Sequence, residues 1–358
     1  TRTSLRYLQI EDLRPNANVK YCEPFNCPRA TKSDVVIAWD GANAGTVSCS
    51  LEGHIGSTLA ILKPIESKAL SPVFLSRFLQ GNFDYLKKTA TGATIPHVSK
   101  DALTALQIPI PPLAEQERIV KLLDEADELR KLRAQADRRT ADLIPSLFHE
   151  MFGDPATNPK AWPVCPLGEF AEKMSDGPFG SNLKSLHYVE DGVRVVRLQN
   201  IGVGQFLDYD KAYISQAHFA KLSKHRCLPG DVLIGTLGDP NIRACVLPES
   251  ISEALNKADC IQLRPDRTSA AAEYICWLLN LPETLKMASG MIHGQTRSRI
   301  SMGRVRSLVV PLPPISLQRK FAARVSEIQA MEAEQVASRR RLGDLFCSLL
   351  HRAFQGEL

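Results

Sequence analysis

Aligning the chain with itself constrains it more than any other reading. Residues Leu106 to Asp154 match residues Leu308 to Gly356 without a gap, at a constant shift of 202 positions. Pro109, Pro111 and Pro112 fall on Pro311, Pro313 and Pro314, and Gln116 falls on Gln318. Arg138 and Arg139 fall on Arg340 and Arg341, Asp142 on Asp344, Leu147 on Leu349, His149 on His351 and Phe152 on Phe354. Upstream the match continues with small insertions: Gly92, Thr94 and Ser99 pair with Gly294, Thr296 and Ser301 at the same shift, and Pro64 pairs with Pro265 at 201. The run from Asp34 matches that from Asp231 at 197, and the run from Arg6 matches that from Arg194 at 188. Such a chain is two copies of one unit, each a globular part followed by a helical part. The segment Trp162 to Gly192 has no counterpart before Leu5, so the first globular part is expected to be N-terminally incomplete, and the opening on Thr1 rather than Met fits a missing upstream piece.

With 358 residues, 44% hydrophobic and 23% charged, the chain has the composition of a globular protein of more than one domain rather than a disordered, collagen-like or disulfide-scaffold sequence. It holds neither the ~18 unbroken apolar residues of a membrane span nor a secretory signal, so a cytoplasmic protein without a membrane partner is expected. Its nine cysteines are odd in number and scattered, with no C-x-x-C pair and no histidine at zinc-ligand spacing; they are expected to be reduced thiols, mostly buried, with no metal site. The net charge of +5 neither demands nor forbids a polyanionic partner.

Short β-branched runs at Asp34 to Ala38, Thr58 to Leu62, Arg194 to Leu198, Asp231 to Ile234 and Asp259 to Leu263 lie between glycine, proline and asparagine clusters, which is strand and turn punctuation. Helical patches follow at Pro72 to Leu86 and Ala270 to Leu285, giving an α+β class with a mixed or antiparallel sheet. After P-I-P-P and P-L-P-P come long segments rich in Leu, Ala, Glu, Lys and Arg and nearly free of glycine, which predict long helices. Ile119, Leu122, Ala126 and Leu129, and Phe321, Val325 and Ile328, step by three and four and predict one apolar stripe on each. Pro145 predicts a kink or break late in the first helix. Two such stripes are best buried against each other as an antiparallel pair; the alternative is that each helix packs on its own module.

These features resemble the specificity (S) subunit of type I restriction-modification systems. The similarity spans essentially the whole chain. It rests on PIPPLAEQERIV from Pro109 and its echo PLPPISLQRKFA from Pro311, on DGPFGSNLK from Asp176 followed by VRVVRLQNI from Val193, on GDVLIG from Gly230, and on the terminal SLLHRAFQGEL from Ser348. The resemblance implies two tandem target recognition domains of mixed α/β structure, each reading one half of a bipartite DNA target, each followed by a long helix of an antiparallel coiled-coil spacer. It implies residues 1–105 as recognition domain 1, 106–153 as spacer helix 1, 154–307 as recognition domain 2 and 308–358 as spacer helix 2. It also implies assembly on double-stranded DNA with two adenine methyltransferase (M) subunits and with restriction (R) subunits. These partners use S-adenosylmethionine, ATP and Mg, while this chain binds no cofactor and has no catalytic site.

The residues themselves agree on that last point, because they offer no phosphate loop, no dinucleotide fingerprint, no Asn-Pro-Pro-aromatic motif and no recognisable nucleophile set. Candidate DNA contacts lie where both copies place polar or basic residues on a glycine-led loop. In the second copy these are Gln295, Arg297 and Arg299, suited to adenine and guanine edges. In the first, Thr94, His97 and Lys100 stand at the aligned but chemically different loop, with Lys87 and Lys88 just upstream. Ser181, Asn182 and Lys184 complete the set on the Gly-Pro-Phe-Gly loop. Two other readings stay open at this point: a specificity subunit serving another methyltransferase or restriction-type system, and a degenerate assembly scaffold with one working DNA-reading domain.

Overall fold

The structure, a computed structural model, describes residues 5–14, 19–23, 27–64, 69–92, 94–238, 240, 242–289 and 299–357. The chain divides into two units, residues 1–136 with 335–358, and residues 137–334.

The first unit holds strands β1 (Leu5–Leu8), β2 (Lys20–Cys22), β3 (Arg29–Ala30), β4 (Val35–Ala38), β5 (Val47–Cys49), β6 (Gly53–Ile55) and β7 (Leu59–Leu62), and helices α1 (Pro72–Gly81), α2 (Phe83–Lys88) and α3 (Lys100–Thr104). The unbroken apolar run of β4 is buried at every position, which suits the centre of the antiparallel sheet β5-β4-β7. A second sheet, β2-β1-β6-β3, is mixed, with β1 parallel to β6 and the outer strands antiparallel. Helix α1 turns Phe78 and Leu79 onto Val35 and Ile37.

Helix α4 (Leu113–Ala141) begins directly after the proline run, and α5 (Leu143–Phe152) follows with one residue, Asp142, between them. The break foreseen from Pro145 thus falls three residues earlier, because proline is tolerated in a helix's first turn, where its missing N–H costs nothing. Within the first unit Ile119 and Leu123 of α4 are buried with Phe74 and Ala353, and Phe354 sets its ring edge-on to Phe74 at 5.2 Å and Phe78 at 5.1 Å. The Arg130 guanidinium lies over the Phe346 ring at 4.4 Å. The buried stripe of α4 is therefore Ile119, Leu123 and Ala126, while Leu129 is 51% exposed, as are Leu132, Val336 and Leu345 in similar measure.

The second unit contains β8 (Val164–Pro166), β9 (Ala171–Asp176), β10 (Tyr188–Val189), β11 (Val193–Val196), β12 (Tyr213–Ile214), β13 (Arg226–Cys227), β14 (Val232–Gly235), β15 (Arg243–Val246), β16 (Ala254–Asn256), β17 (Cys260–Pro265) and β18 (Val309–Pro311). Its helices are α6 (Gln216–Lys221), α7 (Ala272–Asn280), α8 (Pro282–Ser289), α9 (Met302–Ser307) and α10 (Ile315–Gln355), the last unbroken over 41 residues and ending in the first unit. The mixed sheet β10-β12-β11-β16-β13 has β11 parallel to β16, as β1 is to β6, and the antiparallel sheet β15-β14-β17-β9 has β14 at its centre, as β4 is at its own. Strand β9 pairs with β17 and comes from the segment without a counterpart in the first copy; among the described residues β7 has no strand in that place. Phe148 stacks on Tyr274 at 5.4 Å and meets Phe321 edge-on at 5.5 Å at the centre of the largest core cluster.

One hydrogen-bonded device occurs in both units. Gln116 is fully buried, accepts from the Ser71 N–H at 2.8 Å, and donates to the carbonyls of Ala69 and Pro111, each at 2.8 Å. Gln318, equally buried, accepts from the Ala271 N–H at 2.9 Å and donates to Ser269 at 3.1 Å and Pro313 at 2.7 Å. Each glutamine satisfies an orphan donor at a helix start, and carbonyls beside a proline run that has few N–H groups to offer.

All nine cysteines are free thiols, but only Cys227, Cys245, Cys260 and Cys276 are buried, against the expectation that most would be. Short β-strands leave one face of a two-residue step toward the surface, which is why Cys22 and Cys49 stay half-buried. Among the described residues no group of three or more Cys, His, Asp or Glu side chains has metal-holding geometry, and no helix is long and apolar enough to cross a membrane.

Candidate nucleic-acid interface

In the first unit the loop after α2 folds back on itself: the His97 N–H donates to the Thr91 carbonyl at 2.7 Å and the Thr91 N–H to the His97 carbonyl at 2.9 Å. Gly92 makes the turn with φ +97°, and an added Cβ would stand 2.3 Å from the Ile95 oxygen, so the position requires glycine. His97 also bridges to Asp40, which follows β4, and its Nδ1 lies 2.6 Å from the Asp40 carboxylate. Thr94 is exposed on the same loop, and Lys100 opens α3, whose N-cap Ser99 accepts from the Ala102 N–H. Lys87 and Lys88 stand exposed on the last turn of α2, a separate element, where the Lys87 ammonium lies 5.8 Å from the Phe83 ring centroid.

The second unit repeats the backbone of this arrangement with other side chains. Arg299 bridges to Leu237, the residue aligned with Asp40, and its guanidinium reaches Asp259 at 2.8 Å and lies 5.4 Å from the Phe179 ring centroid. Together with Asp176 and Met302, Arg299, Asp259 and Phe179 line a cleft. Gln295 and Arg297 lie outside the described residues.

Phe179 immediately precedes the turn Gly180–Asn182, so this loop and Arg299 meet. Ser181 and Asn182 belong to that turn, and the Asn182 carbonyl faces His218 Nε2 at 2.9 Å. The Lys184 N–H donates to His187 Nδ1 at 3.0 Å, and the His187 and His218 ring centroids lie 4.1 Å apart with the rings tilted by 31°. Burial holds the His187 imidazole below its ordinary pKa, and repulsion by His218, Lys184 and Lys221 adds to it. Lys184 and Lys221 thus bring positive charge close to His187, charge of the kind that attracts phosphate.

Reading the sequence missed Asp40, Asp259 and Phe179, which hold His97 and Arg299, and His187, His218 and Lys221 beside Lys184. Their partners are 57 residues away for Asp40 and 36 for the contact of His218 with Asn182, separations at which no local spacing signals a contact. His149 is half-buried and faces Glu283 at 3.7 Å, and His351 is exposed, because the phenylalanines Phe148 and Phe354 take the inward faces of those helices.

A family model described as the type I restriction modification DNA specificity domain matches residues 4–137. The type I restriction enzyme MjaVIII specificity subunit of Methanocaldococcus jannaschii is 24% identical over 367 residues, covering 94% of this chain and 83% of its own. The EcoKI specificity subunit of Escherichia coli is 24% identical over 370 residues, covering 92% and 76%. Among solved structures, a chain from work on complex assembly and conformational transition of a type I R-M system aligns with a TM-score of 0.66 at 21% identity, covering 99% of this chain and 92% of that one. The S subunit of a type I system from M. genitalium aligns with a TM-score of 0.55 at 18% identity, covering 99% and 90%.

Proposed function

We propose that this chain, which belongs to the specificity subunits of type I restriction-modification systems, reads a bipartite DNA sequence through its two units and directs partner subunits to it. The observation that carries the reading is the repeated backbone around His97 and Arg299, on which each unit mounts a different polar side chain. A protein that reads two unlike half-sites needs that combination of a common frame and divergent readers. Lys87, Lys88, Thr94 and Lys100 in the first unit, and Ser181, Asn182 and Lys184 in the second, supply phosphate and base contacts, as do Gln295 and Arg297. With a net charge of only +5, focal contacts rather than a uniformly basic surface carry the affinity.

In this reading residues 1–105 and 154–307 are the recognition domains, and the helices of 106–153 and 308–358 form an antiparallel coiled-coil spacer that fixes the gap between half-sites. Within the first unit α4 and α10 meet at Arg130 and Phe346, and within the second Phe148 of α5 meets Phe321 of α10, contacts whose order along the chain is that of antiparallel helices. The exposed Leu129, Leu132, Val336 and Leu345 are suited to covering by methyltransferase helices. Chemistry is left to the methyltransferase and restriction subunits, which use S-adenosylmethionine, ATP and Mg; this chain positions them.

Methylome sequencing of cells with and without this chain tests the reading. The expected result is one bipartite modified motif that disappears with the chain; a methylome unchanged by its removal refutes it.

A further inference from the structure

We infer that Arg299 reads a guanine in the half-site bound by the second unit, and that His97, its counterpart in the first, sets a different base in the other half-site; the inference rests on the DNA-reading function above. Equivalence of the two positions is a matter of backbone, not only of alignment. Arg299 bridges to Leu237 and His97 to Asp40, and the next residues donate alike, Ile300 to the Thr236 carbonyl at 3.2 Å and Val98 to the Trp39 carbonyl at 2.9 Å. The neighbouring strand is fixed the same way, by Thr236 donating to Asp259 at 3.0 Å and Trp39 to Thr58 at 2.8 Å.

On this shared frame the holding carboxylate has changed place. In the second unit it is Asp259, where the first has Thr58; in the first it is Asp40, where the second has Leu237. Both contacts are half-exposed, Arg299 at 46% and His97 at 47%, so they do little for folding. What they do is aim a side chain. Phe179 limits the guanidinium's rotation, and a guanidinium held by a carboxylate presents its remaining N–H groups as a fork that matches O6 and N7 of guanine. Asp259 beside it is placed to accept from the N4 amino group of the paired cytosine, so the two side chains together suit a G·C pair. An imidazole with Nδ1 committed to Asp40 has a single nitrogen left, which cannot make that fork.

The test uses full-length chains in the complete restriction-modification complex, with the modified motif read base by base. Arg299→Gln is expected to relax one guanine of one half-site, lowering discrimination there by roughly tenfold to a hundredfold, and to leave the other half-site unchanged. His97→Arg is expected to add guanine preference at one position of the opposite half-site, and it decides the matter should Arg299→Gln fail to assemble. Motifs identical to wild type in the variants, or modification lost evenly at every site with no base changed, would overturn the inference. A wild-type chain that directs no bipartite motif would instead remove the DNA-reading function beneath it.

Discussion

Gln116 and Gln318 make the same three hydrogen bonds in two different units, each joining the start of a long helix to the start of a short one. Replacing either by alanine leaves a buried N–H and two carbonyls without partners. Each substitution is expected to cost about 2–4 kcal/mol, measured by urea unfolding, and Gln116→Ala should leave the second unit's transition in place. A midpoint unchanged within error would show that water replaces the amide.

Asp231 is 1% exposed and receives both Arg264 Nε and Nη2 at 2.9 Å, with Gln262 Nε2 at 2.9 Å and the Leu228 N–H at 2.8 Å. Arg264→Met strands a buried carboxylate and is expected to destabilise the second unit by about 3 kcal/mol, and adding Asp231→Asn should recover part of the loss. Equal stability of Arg264→Met and wild type would sink the argument.

Burial holds His225 below its ordinary pKa, partly offset by the hydrogen bond of its Nδ1 to the Asp176 carbonyl at 2.5 Å, with repulsion from Lys224 adding to the depression. The unfolded chain therefore takes up this proton more readily than the folded one. Stability from this source is intact above about pH 6.5 and is lost as pH falls through the depressed folded value. Thermal melts between pH 7.5 and 5 should show a steeper acid loss for wild type than for His225→Phe; parallel curves would exclude His225 as the cause.

Burial raises the thiols of Cys245 and Cys260 to about 12 and pushes Cys227 and Cys276 up as well, while Cys347 is exposed. Iodoacetamide labelling read by mass spectrometry is expected to modify Cys347 in the native protein and these four only after unfolding. Prompt native labelling of Cys245 or Cys260 would contradict the packing.

Lengthening α4 and α10 together by four residues, just over one helical turn, should alter the preferred gap in the modified motif and leave both half-sites as they were. Altered half-sites with an unaltered gap would rule out a spacer role.

How much of this was legible in the sequence depended on the range of the interaction. The strands β4 and β14 are unbroken apolar runs and announce themselves, and the register that pairs Gln116 with Gln318 predicts their common role. The stripe on α4 was harder to place, because steps of three and four are both helical and only packing selects Leu123 over Leu122 and leaves Leu129 in water. The loops that carry His97 and Arg299 were found from the repeat, but the carboxylates that aim them were not, since each arrives from a distant strand end and sits at a different position in each copy.

Asp142 parts α4 from α5, whereas α10 runs 41 residues with its peptide ladder intact. Compliance in these helices is thus unevenly distributed. Torque on the first is expressed as rotation at a single address, and torque on the second spreads as gentle elastic curvature along its whole length.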